Sequence, residues 1–189
     1  EQYESVVGMN SLLYRGRVER RYAYRYSGTY FAYHDKYVKG EVYFNKRLYT
    51  EVLVNLNSHR DRVSVRHSEN QMPVILDRNY LEWFKMGSRL FINVDEGEYD
   101  GLESGYYEVV YEDSSRRLLK KIVKEYKEVL ERSVVEIQFT PKIEYYVAEN
   151  GTATAVKGKK GFIGLYPARK KEIKRIFRDA PVVVRDDKD

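Results

Sequence analysis

The feature that most constrains this chain is an alternation of apolar and polar residues with a period of two. In residues 37–44, for example, Val38, Val42 and Phe44 share one parity. Successive side chains of a strand point to opposite faces, so the pattern predicts strands with one buried face. Turn-forming residues separate these short runs. The chain is therefore predicted to be mainly β (α+β): an antiparallel meander, an open barrel or a sandwich, with a short C-terminal helix.

The aromatic residues support this prediction, because 19 are Tyr, seven are Phe and one is Trp. Tyrosine favours strands and suits half-buried positions, where the ring packs and the hydroxyl stays hydrogen-bonded. A chain of 189 residues fits one hydrophobic core, so we expect a single domain over residues 1–189 with a frayed tail at 185–189. No apolar run approaches the roughly 18 residues of a membrane-spanning helix.

Turn residues locate the strand boundaries. Asn150-Gly151 supplies the positive φ angles of a type I′ turn, so residues 143–148 and 152–156 are predicted to form a hairpin. Asn45-Lys46-Arg47 is a second predicted turn, and the acidic segment 95–104 is predicted to be a loop. Further strands are predicted at residues 90–94, 105–111 and 134–139, the last ended by Pro141.

Residues 116–132 fit two periodicities. One helical face would carry seven apolar residues, which predicts an amphipathic helix: Leu118, Leu119, Ile122, Val123, Tyr126, Val129 and Leu130. The alternative is a long strand, in which positions 118 to 126 would mix lysines with apolar side chains on one face. The helix is the better local pattern, and the choice between the two depends on tertiary context.

The C-terminal part changes character after residue 157. Residues 162–166 are predicted to form one helical turn stopped by Pro167. Residues 168–178 are predicted to form a helix, because Ile173, Ile176 and Phe177 share a stripe among basic residues. Val182-Val183-Val184 is a possible edge strand.

The sequence carries no recognisable catalytic machinery. It has no cysteine, no nucleophile elbow and no phosphate-binding loop. The three histidines, His34, His59 and His67, lack the clustered spacing of metal ligands. Eight acidic residues between Asp95 and Asp113 do not have the spacing of an EF-hand loop and are interpreted as a solvated surface. We therefore predict a protein that is not an enzyme and has no cofactor or metal.

Two segments are candidates for an interaction surface. The first is predicted to be a strand from Val18 to Tyr26, with tyrosines on one face and arginines on the other; alternation alone favours a buried tyrosine face. The second is the basic C-terminal helix. The candidate residues are Arg21, Tyr22, Tyr24, Arg25, Tyr26, Lys170, Lys171, Lys174 and Arg175.

The order of segments resembles a family of uncharacterised exported β-rich proteins of Bacteroidetes, periplasmic or outer-membrane-associated. The resemblance spans residues 28 to 178. It is carried by Tyr30-Phe31, Gly40-Glu41-Val42-Tyr43, the Gly105-Tyr106-Tyr107 strand, a basic Leu-Leu-Lys-Lys segment at 118–121, and the helix at 170–176. The resemblance implies a strand for the first half of 116–132, no assigned catalytic residue, and an envelope location.

These observations favour a non-catalytic envelope protein that binds another protein, as an accessory subunit of an outer-membrane-associated assembly. The chain begins at Glu1 without Met or a hydrophobic leader, as a processed export product or a trimmed chain would, and a lipid anchor before Glu1 stays open. One alternative is a carbohydrate- or lipid-binding β protein that uses exposed tyrosines. A second is a nucleic-acid-binding domain that uses the basic C-terminal segment, a partner that an exported protein would not meet.

Overall fold

The strands of this protein form one large open sheet, seen in a computed structural model that describes residues 11–131 and 134–179. Strands make up 53% of the structure and helices 14%, which confirms the mainly β prediction with a short C-terminal helix. The strands are β1 Tyr26–Ser27, β2 Val38–Phe44, β3 Arg47–Asn57, β4 Arg62–Arg66, β5 Val74–Ile75, β6 Leu81–Met86, β7 Arg89–Val94, β8 Gly105–Glu112, β9 Arg116–Glu131, β10 Val134–Glu149 and β11 Thr152–Val156.

Two helices follow β11: α1 Gly158–Leu165 and α2 Lys170–Asp179. The predicted helix at 168–178 is confirmed as α2. The helical turn predicted at 162–166 is longer than expected, because α1 already begins at Gly158. Three short 3₁₀ turns lie at Leu12–Tyr14, Arg78–Tyr80 and Pro167–Arg169. The possible edge strand at 182–184 and the tail at 185–189 lie outside the described residues.

The sheet consists of two antiparallel meanders joined side by side. Strands β2 to β5 form one, strands β6 to β11 form the other, and β2 pairs with β6 at the junction. The short β1 is the one strand in the described chain that pairs in parallel, against β10. Consecutive hairpins of this kind follow from the short turns that the sequence predicts.

The apolar residues form the larger part of the core on one face of the sheet and a smaller cluster, around Tyr107 and Leu119, on the other. Val42, Val54, Val63, Val65 and Phe84 are fully buried on the first face. The rings of Phe84 and Phe91 stack across neighbouring strands with centroids 4.9 Å apart. Burial of each such side chain contributes about 1.5–3 kcal/mol, so this face accounts for much of the fold's stability.

The predicted turns are confirmed. Asn150 and Gly151 have φ angles of 52° and 75°, and Glu149 pairs with Thr152 across the hairpin. Asn45 and Lys46 also have positive φ, 49° and 60°. Both pairs match the type I′ geometry that suits the right-handed twist of two-residue hairpins.

Residues 116–131 form a strand, so the helix prediction for this segment is wrong. β9 pairs along its whole length with β10, from Arg116–Glu149 to Glu131–Val134. Lys120 and Lys124 share a face with Ile122 and are nevertheless buried. The mixed face that argued against a strand is tolerated because Glu108 and Tyr33, distant in sequence, lie against Lys120. Tertiary context overrides the helical periodicity.

Two other boundaries differ from the prediction. β10 continues through Pro141 to Glu149, because no strand pairs with the outer edge of β10 between Gln138 and Tyr145 in the described chain. A proline removes one donor, which does little harm at an unpaired edge. The predicted strand from Val18 to Tyr26 is reduced to a bridge between Val18 and Val74 and to β1. Tyr22 packs into an aromatic cluster instead of extending a ladder.

Candidate interaction surface on the distal ribbon

Strands β9 and β10 extend beyond β8 as a ribbon, and in the described chain only the short β1 pairs beside them there, against Ile137 and Gln138 of β10. On the inner side of β9, the last residue in register with β8 is Lys120, opposite Glu108. Beyond Lys120, the turn after β3 contacts this edge of β9, because the Ser58 carbonyl accepts a hydrogen bond from the Lys124 amide at 3.2 Å. Residues 125–131 and 134–140, here called the distal ribbon, project past this point by about 23 Å at the usual rise per residue.

The distal ribbon carries apolar side chains that face solvent. Tyr126, Leu130 and Val135 are 56%, 72% and 56% exposed. They share one face, because Leu130 pairs directly with Val135 and Tyr126 lies four residues before Leu130 on the same strand. We call these three residues the apolar patch. An ordered strand pair with this much exposed apolar surface is typical of an interaction site.

The root of the distal ribbon is a cluster of aromatic rings. Tyr22 lies 4.8 Å from Tyr30 and 5.4 Å from Phe139, measured between ring centroids. His59 packs 5.2 Å from Phe139 and 5.4 Å from Tyr126. Burial raises the pKa of the Tyr30 hydroxyl well above its ordinary value, and neighbouring Tyr26 adds to the shift. The hydroxyl therefore stays neutral, and the cluster acts as a rigid support for the ribbon.

The N-terminal candidate residues lie beside this root. Tyr22 and Tyr26 are half-buried in the cluster, whereas Tyr24 is 41% exposed. Arg21 and Arg25 are exposed, and Arg25 contacts Glu136 of the ribbon at 3.6 Å. Among these three N-terminal tyrosines, Tyr24 is therefore the one that is available to a partner, next to the apolar patch.

The C-terminal candidate residues lie at the other end of β10. Lys170, Lys171, Lys174 and Arg175 are exposed on α2. The preceding Tyr166 packs under the Arg116 guanidinium, 5.6 Å from the ring centroid, and Arg116 pairs with Glu149. Arg25 lies beside β10 at Ile137, 12 residues from Glu149, which is about 40 Å of strand. The structure thus separates the two predicted segments, and they do not form one surface.

A buried charge network anchors β9 where the ribbon begins. The Tyr33 hydroxyl donates to Oε2 of Glu108 and accepts from Arg89 at 3.0 Å and from Lys120 at 3.3 Å. Arg89 also donates to Oε1 of Glu108 at 3.1 Å. The side chains of Glu108 and Lys120 are 8% and 5% exposed, so their charges stabilise each other with little screening by solvent.

A second contact clamps the same region from the other face. Lys121 donates to Oδ1 of Asp61 at 3.0 Å, and Arg78 lies 3.6 Å from Oδ2. The Tyr106 amide also donates to this carboxylate, at 3.3 Å. Burial lowers the pKa of Lys121, while Asp61 opposes that shift. The turn after β3 is thereby fixed to the start of β8 and to β9.

Lys124 differs from the other buried lysines at the base of the ribbon. It is 6% exposed, and within the described residues its ammonium group has no hydrogen bond or ion pair. Burial lowers its pKa, and the more distant Asp35 only partly offsets that effect. Its position costs stability, because the surrounding side chains hinder solvation of the ammonium group and Asp35 compensates for this only in part.

Replacing Lys124 with Met should raise the free energy of unfolding by about 1 kcal/mol at pH 7. The folded-state pKa lies below the unfolded value of about 10.4, so the unfolded chain binds more protons between these two values. Wild-type stability therefore gains from Lys124 deprotonation as pH rises through that window, and the advantage of Met shrinks there. Urea unfolding at pH 7 and pH 10 measures both effects.

Lys127→Met, at an exposed site on the same strand, is the matched control, and its free energy of unfolding should change little. A loss of stability in Lys124→Met would contradict this account.

Sequence reasoning did not identify the apolar patch or the buried network. The helical interpretation of residues 116–132 places Tyr126 and Leu130 on one apolar face and gives no sign of their exposure on a strand. Glu108 carried no signal in sequence, because its partners Tyr33 and Lys120 meet it only through the fold.

The described residues contain no helix long and apolar enough to cross a bilayer. Within the same residues, no group of three or more His, Asp or Glu side chains is arranged to hold a metal ion. Comparison of the chain with protein-family models, curated proteins and solved structures finds no match. The function is therefore inferred from the geometry of the surface itself.

Proposed function

We propose that this protein is a non-catalytic interaction protein that binds another protein through the apolar patch of the distal ribbon. The exposure of Leu130, Val135 and Tyr126 on one face of an ordered strand pair carries this proposal. A fixed ribbon pays little conformational entropy on binding, since the aromatic cluster and the clamps at its root already hold it in place.

The surroundings of the patch favour a protein over a lipid or a nucleic acid. Glu128 lies on the patch face between Tyr126 and Leu130, whereas Glu125, Lys127 and Glu136, which Arg25 contacts, lie on the opposite face of the ribbon. Apolar side chains interspersed with charges of both signs are typical of protein interfaces, which are also enriched in Tyr and Arg. Anionic membranes and nucleic acids select uniformly basic surfaces instead.

The patch is proposed to pack face-on, without extending the sheet. Pro141 lies in the unpaired stretch of the outer edge of β10, where its missing N–H hinders the addition of a further strand. We therefore expect the partner to contribute apolar side chains to the face of the ribbon.

The double variant Leu130→Lys/Val135→Lys should reduce partner binding at least tenfold, because it places two charges in the centre of the interface. The wild type and each variant are immobilised and exposed to an extract of the source cells. The proteins that each one retains are quantified by mass spectrometry. Met72→Lys replaces another exposed apolar residue, 63% accessible and outside the ribbon, and is the matched control. A protein retained by the wild type and by Met72→Lys, but lost with the double variant, is the expected result.

Two outcomes would count against the proposal. One is that every protein retained by the wild type is retained equally by the double variant. The other is that the wild type binds copies of itself alone, which light scattering of the purified protein would reveal. Circular dichroism and thermal unfolding of each variant ensure that a loss of binding is not a loss of fold.

We further propose that this partner belongs to the bacterial cell envelope, as an outer-membrane-associated assembly. The support is the resemblance to exported β-rich proteins. Fractionation of the source cells with an antibody against the protein tests this location, and recovery in the cytosolic fraction would exclude it.

A further inference from the structure

A small pocket lies between the N-terminal segment, β4 and the aromatic cluster. Glu19, Arg21, Asp35, Arg66, Tyr26 and Tyr37 contribute to its lining. The segment that carries Glu19 is held by backbone hydrogen bonds, since the Glu19 amide donates to the Pro73 carbonyl at 2.8 Å and Ile75 donates to Arg17 at 2.8 Å. The position of Glu19 in the pocket wall is therefore set by the sheet.

Glu19 is buried, and only one of its two carboxylate oxygens is hydrogen-bonded. It is 4% exposed, and its Oε1 accepts a hydrogen bond from the Asn57 amide at 2.8 Å. Its Oε2 is buried and has no hydrogen-bond partner in the part of the chain that the structure describes. A buried carboxylate oxygen without a donor is costly, and a ligand that brings a donor removes that cost.

Arg66 lines the same pocket, and it has a buried donor that lacks an acceptor among the described residues. Its guanidinium lies 4.3 Å from the centroid of the Tyr37 ring, and its Nη1 donates to the Glu69 carbonyl at 3.2 Å. Its Nε is buried and, among the described residues, has no acceptor. The Tyr37 hydroxyl is already bonded to Ser64 at 2.7 Å and does not compete for these groups.

We propose that this pocket binds one edge of a sugar residue through its hydroxyl groups, which fit its volume of about 50 Å³. A hydroxyl both donates and accepts, so neighbouring hydroxyls of one ring can satisfy Oε2 of Glu19 and Nε of Arg66 together. Tyr26 is half-buried and lines the pocket, so its ring can contact the apolar side of the sugar. The lining has two acidic and two basic side chains, Glu19 and Asp35 against Arg21 and Arg66, which balances its charge and suits a neutral ligand.

This site is separate from the proposed protein interface. None of the three patch residues, Tyr126, Leu130 and Val135, is among the residues that line the pocket. Sugar binding can therefore fail or succeed independently of partner binding.

Nuclear magnetic resonance titration with the methyl glycosides of glucose, galactose, mannose and N-acetylglucosamine tests the proposal. We expect at least one glycoside to shift resonances of residues lining the pocket, with a dissociation constant on the order of 1 mM. Glu19→Gln keeps an acceptor for Asn57 but puts a donor in place of Oε2, and it should weaken binding about tenfold or more. Arg66→Gln, which does not touch Asn57, should weaken it similarly.

Arg62→Gln, on the same strand but outside the pocket, is the matched control and should bind like the wild type. The proposal is overturned if none of the glycosides binds up to about 50 mM, or if Glu19→Gln and Arg66→Gln both bind as the wild type does. Binding of free amino acids in the pocket without binding of any glycoside would also overturn it, since a zwitterion would then be the ligand.

Discussion

Replacing Glu108 with Leu is expected to lower the free energy of unfolding by about 3 kcal/mol. The carboxylate is 8% exposed and lies among the Tyr33 hydroxyl, Arg89 and Lys120. Its removal leaves the Lys120 ammonium, itself 5% exposed, without its carboxylate in a poorly solvated site. Arg89 is 46% exposed, so water compensates it, and we attribute most of the loss to Lys120.

The double variant Glu108→Leu/Lys120→Met separates this explanation from a simple packing defect. Replacing both partners of a buried pair by apolar side chains of similar size is often nearly neutral, so the double variant should regain most of the lost stability. Urea unfolding of the wild type, of Glu108→Leu, of Lys120→Met and of the double variant completes this double-mutant cycle. Losses that simply add in the double variant would show that the two charges are not coupled.

Replacing Gly40 with Ala is expected to destabilise the protein by about 3 kcal/mol or more. Gly40 lies in β2 between Val52 of β3 and Met86 of β6. A Cβ atom built there would lie 1.9 Å from the Lys85 carbonyl oxygen and 3.0 Å from a Val54 methyl group. The nearest atom belongs to the backbone of a central strand, so relief requires β2 and β6 to separate at the junction of the two meanders.

Gly164→Ala is the matched control for this prediction. Among the described residues, nothing lies within 4 Å of a Cβ atom built at Gly164, which is part of α1. Alanine is the better helix former, so the control should be neutral or slightly stabilising. Thermal and urea unfolding of both variants test the difference. A Gly40→Ala protein as stable as the wild type would mean that the close contact between β2 and β6 is wrong.

Much of the fold could be predicted because its strands are short and locally encoded. Asn150-Gly151 determines its hairpin by backbone conformation alone, and α2 follows from one apolar stripe. The error at residues 116–131 has a physical cause: Leu118, Ile122 and Tyr126 are spaced four apart, which satisfies both a helical face and one face of a strand. Only the partners on β8 and β10 distinguish the two structures.

The candidate site was less predictable than the fold. The arginine face of the predicted 18–26 strand is exposed at Arg25, but the predicted tyrosine face is not buried as a whole. Tyr24 is exposed, and Tyr22 and Tyr26 pack against Phe139, more than 100 positions along the chain. The importance of Leu130 lies in its exposure, a property that depends on how far the ribbon extends beyond the sheet. Local pattern gives no measure of that extension. For the same reason, Glu19 gave no sign that it would be buried with one oxygen unpaired.

The apolar patch exists only if residues 116–131 are extended, and a distance across this segment tests that directly. The chain has no native cysteine, so nitroxide labels can be attached at Ser115→Cys and Lys127→Cys, both exposed positions. Pulsed electron paramagnetic resonance should give a label separation of about 40 Å for a strand of this length. A separation of about 18 Å, the length of the same residues in a helix, would contradict the ribbon and the interface proposed on it.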